Sequence, residues 1–342
     1  MSPEVFAEVR ALFDRVDELE PADRERTLER ESLGRPEVVA DVRRLLGCEG
    51  DRLAAVESVL NAALSAGKDR MAGPYRLESM LGEGGMGEVW LAEQSAPIRR
   101  KVAIKMIKAG MDTRQAVARF EAERQALATL SHPAIAAVLD AGETTLGRPY
   151  FVMEYVEGMP LDRYCDAHRL GLRARLRLFL RVCEGVQHAH NKALIHRDLK
   201  PANILVMTQE HGAQPKIIDF GVAMAISADA GTSSKLTEAG LPVGTPEYMS
   251  PEQLGGAGAV DTRTDVYSLG VTLCELVTGC LPQHHRPGGP STGGDLDRII
   301  LKAIDPDPER RYESPRAFAK DIERFLAARP VIARTLKAAC LV

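Results

Sequence analysis

The stretch from Leu194 to Gly221 constrains this chain more than any other. It holds two short apolar runs, Ile204-Leu205-Val206-Met207 and Ile217-Ile218, joined by a polar segment from Gln209 to Pro215. Their length and β-branching are those of two strands with a turn between them. A hairpin returns the chain to where it started, so Asn203 at its entrance comes back beside Asp219 at its exit. A carboxylate and an amide oxygen then converge, a hard oxygen pair suited to Mg²⁺ with bound phosphates. Asp198 lies just upstream, free to accept a proton. Each residue alone reads as an ordinary loop Asp or turn Asn, and only the combination carries chemistry.

The order and spacing also match a known pattern. His196-Arg197-Asp198-Leu199-Lys200-Pro201-Ala202-Asn203, followed by Asp219-Phe220-Gly221, resembles the catalytic and magnesium loops of eukaryotic-type bacterial serine/threonine protein kinases. The resemblance implies an α+β, bilobal protein-kinase fold with a small β-rich N-lobe and a larger helical C-lobe. It implies ATP and Mg²⁺, with Asn203 and Asp219 as metal ligands. Asp198 would orient the acceptor hydroxyl and take its proton. Lys200, which separates Ser/Thr kinases from tyrosine kinases, would neutralise charge on the moving phosphoryl group.

Upstream, Leu81-Gly82-Glu83-Gly84-Gly85-Met86-Gly87-Glu88-Val89 contains Gly-x-Gly-x-x-Gly, a weak signal by itself because dinucleotide-binding folds share it. The residues after the glycines discriminate. A dinucleotide fold requires a helix there, whereas Glu88-Val89-Trp90-Leu91 reads as a strand. The glycines therefore sit at a hairpin tip, where backbone N–H groups can approach phosphate oxygens. Val102-Ala103-Ile104-Lys105 then matches the strand that places a lysine on the α- and β-phosphates.

A partner for Lys105 is expected on the helix read from Gln115 to Leu130. Val117, Phe120, Leu127 and Leu130 form its apolar stripe, and at about 100° per residue Glu123 falls inside that stripe while Glu121 points away. A carboxylate there needs a cation, so Glu123 is expected to pair with Lys105. By resemblance, Met153 guards the back of an adenine pocket, and the Glu154 carbonyl and Val156 amide bond the adenine edge. Leu81, Val89, Ala103 and Leu205 would sandwich its faces.

In the larger lobe, Arg173, Arg175, Arg177 and Arg181 read as the wet side of a helix whose Leu172, Leu176, Phe179 and Leu180 face inward. The segment from Asp219 to Glu252 resembles an activation segment, with Thr245 expected to bond Asp198 and Lys200. Its polar tip carries Thr232, Ser233, Ser234 and Thr237; a phosphate on Thr237 first, with Thr232, Ser233 and Ser234 as alternatives, is expected to pair with Arg197. Asp265 resembles the buried aspartate that anchors the catalytic loop, and Arg311 is expected to pair with Glu252. The stretch 281–295 departs from the family pattern. It is short and rich in breakers, and it keeps a second reading open: an impaired, kinase-like signalling scaffold. A small-molecule phosphotransferase is disfavoured by Gly244-Thr245-Pro246-Glu247-Tyr248, which looks like a complete protein-substrate segment.

Four divisions are expected: a helical N-terminal unit (1–65), a linker (66–74), a kinase domain (75–328, with its N-lobe at 75–155 and C-lobe at 156–328) and a short tail (329–342). The first unit reads as helices opened by Pro3, Pro21 and Pro36, with a fourth over Asp51 to Leu64. It carries no visible chemistry. Net charge is −4, without a basic face for nucleic acid or a polybasic membrane anchor. Six scattered cysteines without ligand spacing point to a reducing compartment, and no run of 18 apolar residues is present. The expectation is a cytoplasmic enzyme without a membrane segment. It would act on Ser/Thr-bearing proteins and, by self-association, on its own activation segment.

Overall fold

The computed structural model describes residues 12, 15–16, 26–28, 30–31, 38–39, 42, 71–84, 87–107, 127, 129–144, 148–210, 212–220, 245–255, 260–282 and 294–335. The chain forms two compact units, Met1–Met71 and Ala72–Val342. In the first, the described residues are helical, and Leu12, Val16, Leu28, Val38, Val39 and Val42 are buried. They fall on three of the helices expected from the apolar spacing. The fourth lies outside the described residues.

From the boundary at Met71 onward runs a six-stranded sheet: β1 (Met71–Ala72), β2 (Tyr75–Gly84), β3 (Gly87–Gln94), β4 (Arg100–Ile107), β5 (Val138–Glu143) and β6 (Pro149–Glu154), in the order β1-β2-β3-β4-β6-β5. β4 is buried continuously from Val102 to Ile107, because both its faces are covered. Period-two alternation sends its side chains to two different cores. Val102, Ile104 and Met106 pack with Tyr75, Trp90, Tyr150 and Val152. Ala103 and Ile107 join the main core with Leu127, Phe151 and Met153. Lys105 shares the second face, and this parity aims its amine towards the helical lobe.

The helical lobe comprises α1 (Leu161–Ala167), α2 (Leu172–His190), the short α3 (Pro251–Gly255), α4 (Thr262–Thr278), α5 (Asp295–Ala303) and α6 (Pro315–Leu326). α2 buries Leu176, Phe179, Cys183 and Val186 along one stripe, and Phe179 meets Phe318 of α6 edge-on at 5.7 Å. Leu172, expected to face inward, is exposed at the helix start. Arg175, expected on the wet face, turns back to donate to the carbonyls of Leu170 and Leu276. α4 is apolar on nearly every side and correspondingly buried. The Asp261 side chain caps its start by accepting from the Arg263 amide at 2.7 Å, and Gly279, at φ +74°, ends it.

A three-stranded sheet, β7 (Met159–Pro160), β8 (Ile204–Gln209) and β9 (Gly212–Ile217), carries the hairpin expected from the apolar runs. The strands are longer than expected. Gln209 pairs with Gly212, so the turn is two residues rather than the whole of Gln209–Pro215. The polar residues that look like a loop occupy the wet end of an edge pair. Pro215 is tolerated because β9 is an edge strand.

Past α6 the chain remains tied down beyond residue 328. The buried Asp321 carboxylate accepts from the amides of Ile332 (2.7 Å) and Ala333 (3.0 Å) and from the Tyr312 hydroxyl (2.8 Å). Val331 and Ala333 are buried beside it. Among the described residues no helix is long and apolar enough to cross a membrane.

Candidate active site

One buried carboxylate fixes the loop that comes after α2. Asp265, in the first turn of α4, accepts from the backbone amides of His196 and Arg197, each at 2.8 Å, and from His190 Nε2 at 2.7 Å. Burial alone would raise its pKa. The His190 hydrogen bond, the neighbouring imidazoles and the His196 amide outweigh that and hold it below the usual aspartate value. It is therefore ionised at neutral pH and serves as a fixed acceptor for a loop without repeating backbone bonds of its own.

His196 joins the two acidic segments. The Asp198 amide donates to His196 Nδ1 at 3.3 Å, which leaves Nε2 as the protonated nitrogen, donating to the Ile218 carbonyl at 3.0 Å. The ring packs against Phe220 with centroids 4.6 Å apart. Ile218 in turn donates its amide to the Asn203 carbonyl at 2.9 Å. Arg197 and Asp219, at φ +69° and +61°, both adopt the left-handed conformation that non-glycine residues seldom take. Such conformations persist where surrounding contacts over-determine them, as these do.

The side chains singled out by motif and spacing form two groups. Lys200 Nζ lies 2.9 and 3.2 Å from the two Asp198 carboxylate oxygens and donates to Thr245 Oγ1 at 2.7 Å. Asn203 Nδ2 donates to the Asp198 carbonyl at 2.8 Å and its carboxylate at 3.0 Å. Lys105 Nζ lies 3.2 Å from Asp219 Oδ2. The ion pair expected between Lys105 and Glu123 involves a residue outside those described, as do Gly85, Met86, Gly221, the 231–240 tip and residues 283–293. Glu252 and Arg311 form a bidentate pair at 2.7 and 2.8 Å.

The donor set fits Mg²⁺ held jointly with phosphates. With Asn203 Nδ2 committed to Asp198, its amide oxygen remains as a ligand, and Asp219 adds carboxylate oxygens. Among the described residues no group of three or more His, Cys, Asp or Glu could hold a metal alone. Mg²⁺ characteristically takes one or two protein oxygens and completes its shell with phosphate and water.

β2 and β3 form a hairpin in which Gly82 pairs with Val89, Glu83 with Glu88 and Gly84 with Gly87, so the glycines do lie at its tip. They are glycines for different reasons. A Cβ on Gly87, at φ +142°, would sit 1.9 Å from the Met106 carbonyl oxygen, whereas among the described residues one on Gly82 or Gly84 would meet nothing within 4 Å. The fold thus requires Gly87, while Gly82 and Gly84 border open space among the described residues. Gly87→Ala is expected to destabilise the domain by about 1–3 kcal/mol. Gly84→Ala should stay within about 1 kcal/mol of the unaltered chain and act on nucleotide affinity instead. Thermal melts and nucleotide titrations of the two variants separate these roles.

The pocket's expected walls come from several elements. Leu91 and Met153 flank Ala103 in register, and Val89 pairs with Lys105. Leu205 lies opposite Lys216 across the β8–β9 hairpin. Leu81 is exposed, whereas Ala103, Met153 and Val156 are buried. The Glu88 side chain accepts from Trp90 Nε1 at 3.0 Å and lies 3.6 Å from Arg148, which leaves its backbone as the part able to face a ligand. Two contacts escape sequence reasoning: His190 on Asp265, and Lys216 on Glu154 at 2.7 Å. The His190 spacing along α2 is a readable signal, but nothing local marks Lys216.

Comparison with known proteins matches residues 75–331 to the protein kinase domain. The chain is 37% identical over 285 residues to the probable serine/threonine-protein kinase SCO3848 of Streptomyces coelicolor, covering 77% of this chain and 41% of that protein. It is 38% identical over 279 residues to the serine/threonine-protein kinase PknB of Mycobacterium tuberculosis, covering 75% of this chain and 43% of the relative. The chain thus spans about two fifths of the length of these curated relatives. Among solved structures, the PknI kinase domain of Mycobacterium tuberculosis superposes with a TM-score of 0.57 at 27% identity, over 74% of this chain and 97% of that one.

Proposed function

Because the chain belongs to the protein kinase family, we propose that it transfers the γ-phosphoryl group of ATP to serine or threonine hydroxyls of proteins. The observation that carries this reading is Lys200, whose amine spans the Asp198 carboxylate at 2.9 Å and the Thr245 hydroxyl at 2.7 Å. A carboxylate, a cation and a hydroxyl thus share one hydrogen-bonded slot, which supports reading them as base, charge neutraliser and substrate-segment hydroxyl.

Each residue's part rests on its chemistry. Asp198 orients the acceptor hydroxyl and receives its proton as the new O–P bond forms and the bond to the ADP leaving group breaks. The transition state is loose, so positioning and charge neutralisation outweigh basicity. Lys200 offsets the charge that develops on the phosphoryl oxygens. Lys105 would hold the α- and β-phosphates, and Glu123, outside the described residues, is the carboxylate expected to restrain it. Asn203 and Asp219 would hold Mg²⁺, which when bound would neutralise the phosphate charge. The backbone of Gly82–Val89 covers the phosphates. The hinge at Glu154 and Val156 reads the adenine edge, with Met153 behind it and Leu81, Val89, Ala103 and Leu205 on its faces. The same reading makes this a cytoplasmic signalling enzyme whose substrates include the 231–240 segment of a second copy.

Incubating the purified protein with Mg²⁺, γ-labelled ATP and a generic acceptor such as casein tests the proposal, with phosphoamino-acid analysis as the readout. Label on serine or threonine is expected. Absence of label despite bound nucleotide would reject it.

A further inference from the structure

We propose that Lys216 is a positioning residue for the nucleotide: it fixes the hinge in the register that reads adenine, and so helps decide which purine the site accepts. This rests on the reading of the cleft as an ATP site.

Lys216 lies on β9, has no part in the phosphoryl-transfer machinery, and is nonetheless largely withdrawn from water, with its side chain 13% exposed. Its amine donates to Glu154 Oε2 at 2.7 Å. That same oxygen accepts from the Ala137 amide at 3.2 Å, and the Glu154 amide donates to the Ala137 carbonyl at 2.8 Å. Glu154 is thus held by backbone and side chain at the point where β6 becomes the hinge.

The segment preceding Ala137 is itself bound to β9. The Ala136 amide donates to the Ile217 carbonyl at 2.9 Å, and the Ile217 amide donates to the Ala134 carbonyl at 2.8 Å. Gln214 Nε2 adds a bond to the Pro133 carbonyl at 3.2 Å. Lys216 closes this circuit from hinge to loop 133–137 to β9 and back. It sits opposite Leu205, the expected floor of the adenine pocket, and three residues before Asp219. One side chain therefore ties the hinge, whose backbone reads the purine edge, to the strand that pairs with Leu205 and leads to the metal ligand.

A lysine that only stabilised the lobe would affect every nucleotide alike, whereas one that sets hinge register affects the base-reading step. Lys216→Met is expected to raise the KM and Kd for Mg·ATP about five-fold while changing those for Mg·GTP less than about two-fold. The preference for ATP would narrow, with the loss in KM rather than kcat. Lys216→Arg, which keeps the charge and a donor, should restore most of it. Without nucleotide, amide hydrogen exchange over residues 155–158 should quicken in Lys216→Met.

Equal losses for ATP and GTP, or unchanged exchange in the hinge, would overturn the proposal while leaving the ATP site itself intact. If the unaltered protein bound neither nucleotide, the ATP-site reading would fall first and take the purine preference with it. Faster hinge exchange in Lys216→Met would then report a structural tie alone.

Discussion

Asp198→Asn is expected to lower kcat for phosphoryl transfer by about 10³-fold while leaving ATP affinity within about two-fold of the unaltered protein. The carboxylate is the hub of its surroundings: Lys200 Nζ contacts both of its oxygens, and Asn203 Nδ2 donates to one of them. An asparagine occupies the same volume but can neither receive the hydroxyl proton nor balance the Lys200 charge. The two donors then face a neutral amide, and the acceptor slot loses its orientation. The effect belongs to the chemical step, because the expected direct nucleotide contacts lie on β2, β3, β4, β6, β8 and the hinge, and Asp198 is not among them. Single-turnover transfer at saturating ATP, beside an equilibrium ATP titration, separates the two quantities. A loss below about ten-fold would remove Asp198 from the proton-accepting role.

Arg311→Leu should cost about 3–5 kcal/mol of stability, read from urea unfolding at neutral pH. Its guanidinium is fully withdrawn from water and makes a bidentate pair with the largely buried Glu252 carboxylate. It also donates to the carbonyls of Asp305, Arg263 and Pro306. Removing it leaves a largely buried carboxylate without its cation, with Thr264 Oγ1 still donating at 3.0 Å, and takes a donor from three carbonyls.

The pair also has a pH signature. Burial alone would raise the Glu252 pKa, but the Arg311 hydrogen bond, backbone bonding and Ser250 bring it from the ordinary 4.5 to about 2. The folded pKa lies below the unfolded one, so this contribution is fully present above about pH 4.5 and fades as pH falls towards 2. In Arg311→Leu the cation is gone and burial pushes the same carboxyl upward instead. The stability gap between the two proteins should therefore narrow steadily between about pH 5 and pH 2.

Much of this site is legible in the sequence because its chemistry is written in short, ordered segments. The hairpin can be read from Ile204–Met207 and Ile217–Ile218, whose β-branched runs have few alternatives to strand. Lys105 can be read because alternation along β4 fixes its face. The hairpin's true length cannot. Thr208, Gln209, Ala213 and Gln214 are polar or small, as loop residues are, and only their place on an edge pair makes them strand. Leu172 and Arg175 depart from expectation for a related reason: helical spacing predicts a face, but the first turn of α2 is shaped by what the Leu170 and Leu276 carbonyls require. Lys216 is invisible, since an edge-strand lysine has no sequence mark separating it from a solvated one. Its partner lies 62 positions away, and only the folded chain brings them together.

The Asp321 clasp bears on how this domain could be excised or fused to another protein. A fragment cut at Ala328 would discard the two amides that a buried carboxylate needs, together with the Val331 and Ala333 side chains that plug the same seam. Retaining the chain through Thr335 keeps that closure intact. A reporter, an affinity handle or a neighbouring module joined downstream of it would then hang from a sealed lobe rather than pull at its last helix.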